Sequence, residues 1–127
     1  MHYFDHEKLD VYQAAIKFVV IIEVIVTQLP KGRAYLVDQL QRAGSSILLN
    51  IAEGAGEFSI NEKIRFYRIA RRSATECASI LDIGIHLNLI NEKLTEDARD
   101  LLVRIVSMLT KMARASSVTQ AGTQTFT

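Results

Sequence analysis

The chain has no tryptophan, one proline, one cysteine and six glycines among its 127 residues. A single cysteine excludes an intrachain disulfide and a cysteine-based metal cluster, so nothing in the sequence indicates an oxidising compartment. Hydrophobic residues make up 49% of the chain, and with so little proline and glycine this excludes collagen-like and disordered classes. The length suits one domain, which we expect to be rich in helix.

Neither sign of charge dominates, because fifteen basic and fourteen acidic residues give a net charge of +1. A polyanion partner must therefore be argued from local clusters and not from the total. The N-terminus reads MHYFDHEKLD, which is polar and acidic where a signal peptide has a basic start and an apolar run. The most apolar segment, residues 11–29, contains Lys17 and Glu23 and predicts a buried helix, not a membrane span. We expect a cytoplasmic protein with no membrane association.

Apolar side chains recur at helical spacing in four segments, which predicts an all-α, up-down-up-down antiparallel four-helix bundle. Pro30 ends the first helix, and Gly54 and Gly56 are expected to close the second in the left-handed conformation. Ser59 predicts the N-terminal cap of the third helix, and Thr95 that of the fourth. The predicted helices are residues 8–29, 33–53, 60–89 and 96–114.

The bundle is predicted to occupy residues 1–114. Residues 115–127 carry no charge and no helical period, and they predict a flexible C-terminal tail.

The first predicted helix has more apolar side chains than one buried face can hold. Residues 18–26 point aliphatic groups in nearly every direction, and Leu48 and Leu49 widen the second helix's apolar face. Either a long third helix and the tail cover these groups within a monomer, or copies of the chain cover one another. Large apolar patches are rare on monomers, so we expect symmetric self-association.

Polar side chains form a row on the second predicted helix and another on the third. In an antiparallel hairpin Glu53 faces Arg65 and Arg42 faces Glu76, with matching charges. This arrangement is either a hydrogen-bonded seam that sets the register of two helices or an active site. We favour the seam, and expect charge reversal at Glu76 to unfold the protein or break its assembly. The predicted seam comprises Gln39, Arg42, Ser46, Asn50, Glu53, Arg65, Arg72, Ser73 and Glu76.

No metal-ligand pair, nucleophile or phosphate-binding loop accompanies these polar residues, whereas catalytic sets are distinctive. We therefore expect no enzymatic activity and no metal, cofactor or small-molecule substrate.

Two stretches carry a family resemblance. Residues 39–59 read QLQRAGSSILLNIAEGAGEFS, and residues 65–81 read RFYRIARRSATECASIL. They resemble four-helix-bundle proteins encoded within intervening sequences of bacterial 23S rRNA genes, whose pattern is approximately Q-L-x-R-A-x-x-S-I-x-x-N-I-A-E-G followed by R-F-x-x-I-A-x-x-S-x-x-E. The similarity covers about residues 4–114. Gly44 and Leu49 depart from the pattern, which usually has a larger apolar residue at the first position and a small residue or proline at the second.

The resemblance implies a left-handed bundle that assembles as a ring-shaped homopentamer, no known enzymatic activity, and a role in binding nucleic acid. The sequence adds a cluster of five cations in residues 63–72 with no acid among them, and such a cluster can neutralise phosphates. Because Arg65 and Arg72 belong to the predicted seam, the candidate residues for RNA or DNA binding are Lys31, Arg33, Lys63, Arg68 and Arg71. The alternative function is a protein-protein interaction scaffold without nucleic acid.

Overall fold

The computed structural model describes residues 4–126, with side chains to residue 119, and these residues form four α-helices. Each helix packs on its neighbours in the chain, and the last helix returns to pack on the first. This confirms the predicted all-α four-helix bundle. Short 3-10 turns precede the first two helices, at Asp5–Lys8 and Lys31–Arg33. The helices are α1 Asp10–Val26, α2 Ala34–Gly56, α3 Ile60–His86 and α4 Glu92–Phe126.

One apolar stripe of each helix forms the core, which runs along the axis of the bundle. In α1 the buried residues recur at steps of three and four, as an amphipathic helix requires. Each large side chain removed from water stabilises the fold by roughly 1.5–3 kcal/mol. The largest fully buried apolar side chains are Phe18, Ile22, Ile25, Leu36, Leu40, Ile47, Ile51, Leu81, Ile105 and Leu109.

Gly44 lets α1 and α2 approach closely. A Cβ atom at this position would lie 2.7 Å from Cδ1 of Ile22 and 3.8 Å from Cε2 of Phe18. The first distance is shorter than carbon atoms tolerate, so Ile22 occupies the space that a side chain at position 44 would need. The departure from the family pattern at Gly44 is thus accommodated by the packing of α1.

The connection between α2 and α3 differs from the prediction. The helix α2 continues through Gly54 and ends at Gly56, and no glycine in the described residues has a positive φ, so the predicted left-handed closure is wrong. Gly54 serves packing instead, because a Cβ there would lie 2.6 Å from Cε1 of Tyr67. The Lys63 ammonium donates hydrogen bonds to the carbonyl oxygens of Gly54 at 2.7 Å and Ala55 at 3.2 Å. A side chain from α3 therefore satisfies the carbonyl end of α2.

The start of α3 agrees with the prediction. The Ser59 hydroxyl accepts a hydrogen bond from the Glu62 amide at 3.3 Å, which confirms Ser59 as the N-cap.

The end of α3 is set by Asn88, which adopts the left-handed conformation with a φ of 57°. The Leu89 amide donates to the Gly84 carbonyl at 2.8 Å, and the Asn88 amide donates to the Ile85 carbonyl at 2.9 Å. These two bonds define a Schellman motif, a common way to end a helix. The helix therefore ends at His86, three residues before the predicted end.

The start of α4 lies earlier than predicted, and Thr95 is not its cap. The Asn91 side chain accepts a hydrogen bond from the Leu94 amide at 3.1 Å, so Asn91 performs that role. Thr95 lies within the helix, fully buried, and its hydroxyl donates to the Asn91 carbonyl at 2.8 Å. At its other end α4 continues to Phe126, beyond the predicted end at Arg114. The flexibility of residues 115–127 stays a prediction.

No helix in the described part of the chain is both long and apolar enough to cross a membrane.

Candidate nucleic-acid interface

The fold places two acid-free segments side by side. Residues 63–75 of α3 contain no aspartate or glutamate, and neither do residues 101–119 of α4. Two contacts give the register of these antiparallel helices: Arg71 donates to the Thr110 hydroxyl at 3.4 Å, and Arg99 forms an ion pair with Asp82. In both pairs the residue numbers sum to 181, so residues 63–75 lie opposite residues 106–118.

Six exposed cations result from this arrangement, and we call them the basic face. They are Arg65, Arg68, Arg71, Arg72, Lys111 and Arg114.

Most of these cations have no anionic partner. Arg65 pairs with Glu62, with 2.8 Å between Nη2 and Oε2, and the hydrogen bond from the guanidinium lowers the pKa of this carboxyl. Among the described residues, the Arg71 guanidinium forms one hydrogen bond, which it donates to the Thr110 hydroxyl. The side chains of the other four cations form no hydrogen bond or ion pair in the part of the chain that the structure describes. These four are Arg68, Arg72, Lys111 and Arg114. Their charges are therefore available to an external anion.

Two adjoining hollows run along α3 beneath these side chains. They share Arg68 and Arg72, and their lining residues on α3 run from Asn61 to Ser79; we call this surface the groove. At 1.5 Å per residue this groove is about 27 Å long. The first hollow, of about 330 Å³, is lined by Asn61, Ile64, Arg65, Arg68, Ile69, Arg72 and Ser117. The second, of about 560 Å³, is lined by Arg68, Arg71, Arg72, Thr75, Glu76 and Ser79.

The five cations predicted for nucleic-acid binding do not form one surface. Arg68 and Arg71 lie on the basic face, whereas Lys63 is engaged with the carbonyl end of α2. Lys31 and Arg33 precede α2, at the opposite end of that helix, and Arg33 donates to the Tyr35 hydroxyl at 2.9 Å. The pairing of Ser46 with Ser73 places Arg71 opposite residue 48 of α2, fifteen residues beyond Arg33, so about 22 Å along the bundle separates the two groups.

The sequence prediction did not include four residues of the basic face. It assigned Arg65 and Arg72 to the polar seam, and it did not include Lys111 and Arg114. The sequence does contain a feature that indicates Lys111 and Arg114, because no acidic residue follows Asp100 in the chain. What the sequence did not supply was the register that brings this segment beside Arg68 and Arg71.

The middle of the predicted polar seam forms as a hydrogen-bonded cluster between α2 and α3. The hydroxyl oxygens of Ser46 and Ser73 lie 2.8 Å apart and share one hydrogen bond. The Asn50 amide donates to the Ser46 carbonyl at 2.8 Å and to its hydroxyl at 3.1 Å. Ser73 is buried, and its pairing with Ser46 satisfies a polar group that would otherwise be costly in the interior.

The charged ends of the seam are arranged differently. Arg42 pairs with Asp38 and Arg65 pairs with Glu62, each on its own helix. Glu53 and Glu76 are exposed and form no hydrogen bond or ion pair with any described residue. Asp38 and Glu62 lie three or four residues from these arginines on the same helix, which is the spacing at which side chains of one helix meet. The arginines pair with them, and the expected ion pairs with Glu76 and Glu53 of the neighbouring helices do not form. An open hollow of about 420 Å³ lies between α2 and α3 instead, and it is lined by Gln39, Arg42, Ala43, Ser46, Ser73 and Glu76.

This polar cluster contains no histidine or cysteine beside its hydroxyls that could act as a base. Cys77 is buried in the core, where desolvation raises the pKa of its thiol to about 12, so the thiol is neutral near pH 7. Within residues 4–126 no group of three or more histidine, cysteine, aspartate or glutamate side chains is placed to hold a metal ion.

A second surface, apolar in character, lies on the outside of α1 and α2. Val20 is 61% exposed and Val24 50%, and Ile16 lies one turn before them on the same side of α1. Leu49 of α2 is 62% exposed. The expected surplus of aliphatic groups on the first helix is therefore present at the surface of the single chain. We call Ile16, Val20, Val24 and Leu49 the apolar face.

Comparison with known proteins gives a family and a fold. A family model described as 23S rRNA-intervening sequence protein matches residues 7–111. No curated protein matches the chain. Among solved structures, the chain is similar to a crystal structure of a protein with unknown function from the S23 ribosomal protein family of Bacteroides thetaiotaomicron. The two are 24% identical, the match covers 81% of this chain and 97% of the other, and the TM-score is 0.75.

Proposed function

The chain belongs to the 23S rRNA-intervening sequence protein family, and from this premise we propose that it is a cytoplasmic, non-enzymatic, self-assembling protein that binds RNA or DNA. The observation that carries the proposal is the basic face, where four of six cations have no partner in the described residues.

Local concentration of charge supports binding although the net charge is only +1. Lysine and arginine side chains that neutralise phosphates release the counterions condensed on a nucleic acid, and this release drives association. The fold gathers six cations on one side of α3 and α4, and two acids border them. Glu62 is already paired with Arg65, whereas Glu76 lines the groove and has no partner among the described residues. A phosphate backbone therefore meets an excess of positive charge.

Self-assembly would multiply this surface. The apolar face is suited to contact another copy of the chain, because burying aliphatic groups removes them from water. A closed ring of copies repeats the basic face once per subunit and raises the effective concentration of cations near one nucleic acid. We expect a homopentamer, as the family resemblance implies.

A salt titration tests the proposal. Binding of labelled RNA should weaken steeply with salt, since each neutralised phosphate contributes roughly −0.9 to the slope of log K against log salt for a duplex and about −0.7 for a single strand. The double variant Arg68→Ala/Arg72→Ala should reduce that slope by about the contribution of two phosphates. Arg33→Ala, at the far end of α2, is the matched control and should leave the slope unchanged. Absence of binding to RNA and DNA at about 50 mM salt would overturn the proposal.

The alternative function, a protein-protein interaction scaffold, is favoured by a different observation. Besides the apolar face, an apolar groove of about 240 Å³ lies between α3 and α4. It is lined mainly by Ala74, Ala78, Leu102, Val103 and Val106. If wild-type protein assembles but binds no nucleic acid in the titration, this scaffold function becomes the better explanation.

A further inference from the structure

We infer that the nucleic acid bound by the basic face is single-stranded, with Phe58 providing a platform on which one unpaired base stacks. This inference rests on the proposed function and specifies its ligand. Phe58 is the most exposed large apolar side chain in the described residues, since essentially all of its surface is accessible to solvent.

The position of Phe58 connects it to the groove. It lies in the connection between α2 and α3, immediately before Ser59, the residue that caps α3. Asn61, the first residue that lines the groove, follows three positions later, and Arg65 and Arg68 continue along the same helix. Phe58 thus precedes the groove by three residues, at the end of α3 where the first hollow begins.

The composition of the groove favours an unpaired strand over a duplex. Arginine side chains alone could bind either a duplex or a single strand, because both expose phosphates. The first hollow is also lined by the half-buried Ile69, and Phe58 adds a fully exposed ring. In a duplex the faces of the bases are stacked on one another and inaccessible, whereas a single strand can place them against aromatic and apolar side chains. Of these two ligands, therefore, only a single strand can place its bases against the apolar part of this surface.

The dimensions agree with a short single-stranded segment. A groove of about 27 Å along α3 accommodates roughly four nucleotides or slightly more, at the lower end of the site sizes found in grooves that bind single strands. The two other aromatic residues of α3 are not available for stacking. Tyr67 is buried, and the ring of Phe66 is covered by the Arg65 guanidinium, 4.5 Å from its centroid.

The test compares one labelled RNA strand of mixed sequence with the same strand annealed to its complement, by fluorescence anisotropy at low salt. Wild-type protein should prefer the single strand. Phe58→Ala should weaken single-strand binding roughly tenfold and leave duplex binding unchanged, because removal of one stacking contact has an effect of this size. Phe58→Tyr, which retains the ring, should bind like the wild type.

Direct contact can be read from tryptophan emission, because the natural chain contains no tryptophan. In Phe58→Trp the single new indole should be quenched when the unlabelled strand binds. Tyr35→Trp is the control, since Tyr35 is also exposed but lies at the opposite end of α2. Quenching at position 58 alone supports the inference, and equal quenching at both positions would overturn it.

The failure of this inference and that of the proposed function give different results. If Phe58→Ala binds the single strand as tightly as the wild type does, the stacking platform is wrong while nucleic-acid binding stands. If the wild type binds duplex and single strand equally, the preference for a single strand is wrong. If neither binds at about 50 mM salt, both proposals fail.

Discussion

The outer surfaces of the two helix pairs, α1 with α2 and α3 with α4, differ in chemistry although both enclose the same core. The first pair carries the apolar face, with Val20, Val24 and Leu49 exposed. Its charges are mixed, and Arg42 is already paired with Asp38. The second pair carries the basic face, where Arg68 and other cations have no partner in the described residues. Because the core uses only one stripe of each helix, the remaining surfaces are free to differ.

We propose that the protein uses one half of the bundle for self-assembly and the other half for ligand binding. An apolar surface gains from contact with a similar surface, whereas a concentrated positive surface repels its own copy and attracts an anion. The halves are joined through α2 and α3, where Tyr67 packs against Gly54 and Ser46 bonds to Ser73. Substitutions in one half should therefore leave the function of the other half intact.

The largest effect is expected from Val20→Glu/Val24→Glu, which places two carboxylates on the apolar face. Burying them between copies of the chain would cost several kcal/mol, so we expect complete loss of self-association. Light scattering should show the mass fall to that of one chain, 14.3 kDa. Nucleic-acid binding per subunit should persist, although with lower avidity.

Val118→Glu is the control for this variant, because Val118 of α4 is 70% exposed but lies outside the apolar face. This protein should assemble like the wild type. A wild-type mass near 14.3 kDa at micromolar concentration would contradict self-assembly altogether.

An intermediate effect is expected from Gly54→Ala at the junction between the halves. The added methyl group would meet the Tyr67 ring, and overpacking of this kind costs about 1–3 kcal/mol of unfolding free energy. Urea denaturation should show a lower midpoint with an unchanged slope. Gly56→Ala is the matched control, since nothing lies within 4 Å of a Cβ there, and its stability should change by less than about 1 kcal/mol. Equal stability of the two variants would contradict the packing role of Gly54.

The smallest effect on stability is expected from Glu76→Lys at the border of the basic face. The sequence predicts that this charge reversal unfolds the protein or breaks its assembly, but Glu76 is exposed and has no partner in the described residues. Surface substitutions of this kind usually change stability by less than about 0.5 kcal/mol. The variant should also bind RNA more tightly, because Glu76 lines the groove and the change replaces a negative charge with a positive one. If thermal denaturation shows instead that the variant loses several kcal/mol of unfolding free energy, the result would support the predicted ion pair between Glu76 and Arg42.

The sequence predicted the features that depend on neighbouring residues. Helical periodicity predicted four helices, and the capping pattern at Ser59 correctly predicted that α3 begins at Ile60. The start of α4 was missed because Asn91 and Thr95 are both good caps, four residues apart, and local preference does not choose between them. The choice follows from Asn88, whose left-handed conformation turns the chain early enough for Asn91 to cap.

The sequence by itself determined the helical class, the surplus of aliphatic groups on the first helix, and the presence of cations in residues 63–72. Only the tertiary structure decided which of these cations act together. It engages Lys63 with the carbonyl end of α2, pairs Arg65 with Glu62, and brings Lys111 and Arg114 beside Arg68. The physical reason is the distance along the chain over which each effect acts. Helical periodicity and caps depend on residues a few positions apart, whereas the set of cations that share one surface depends on the register of two helices whose contacting residues are some forty positions apart.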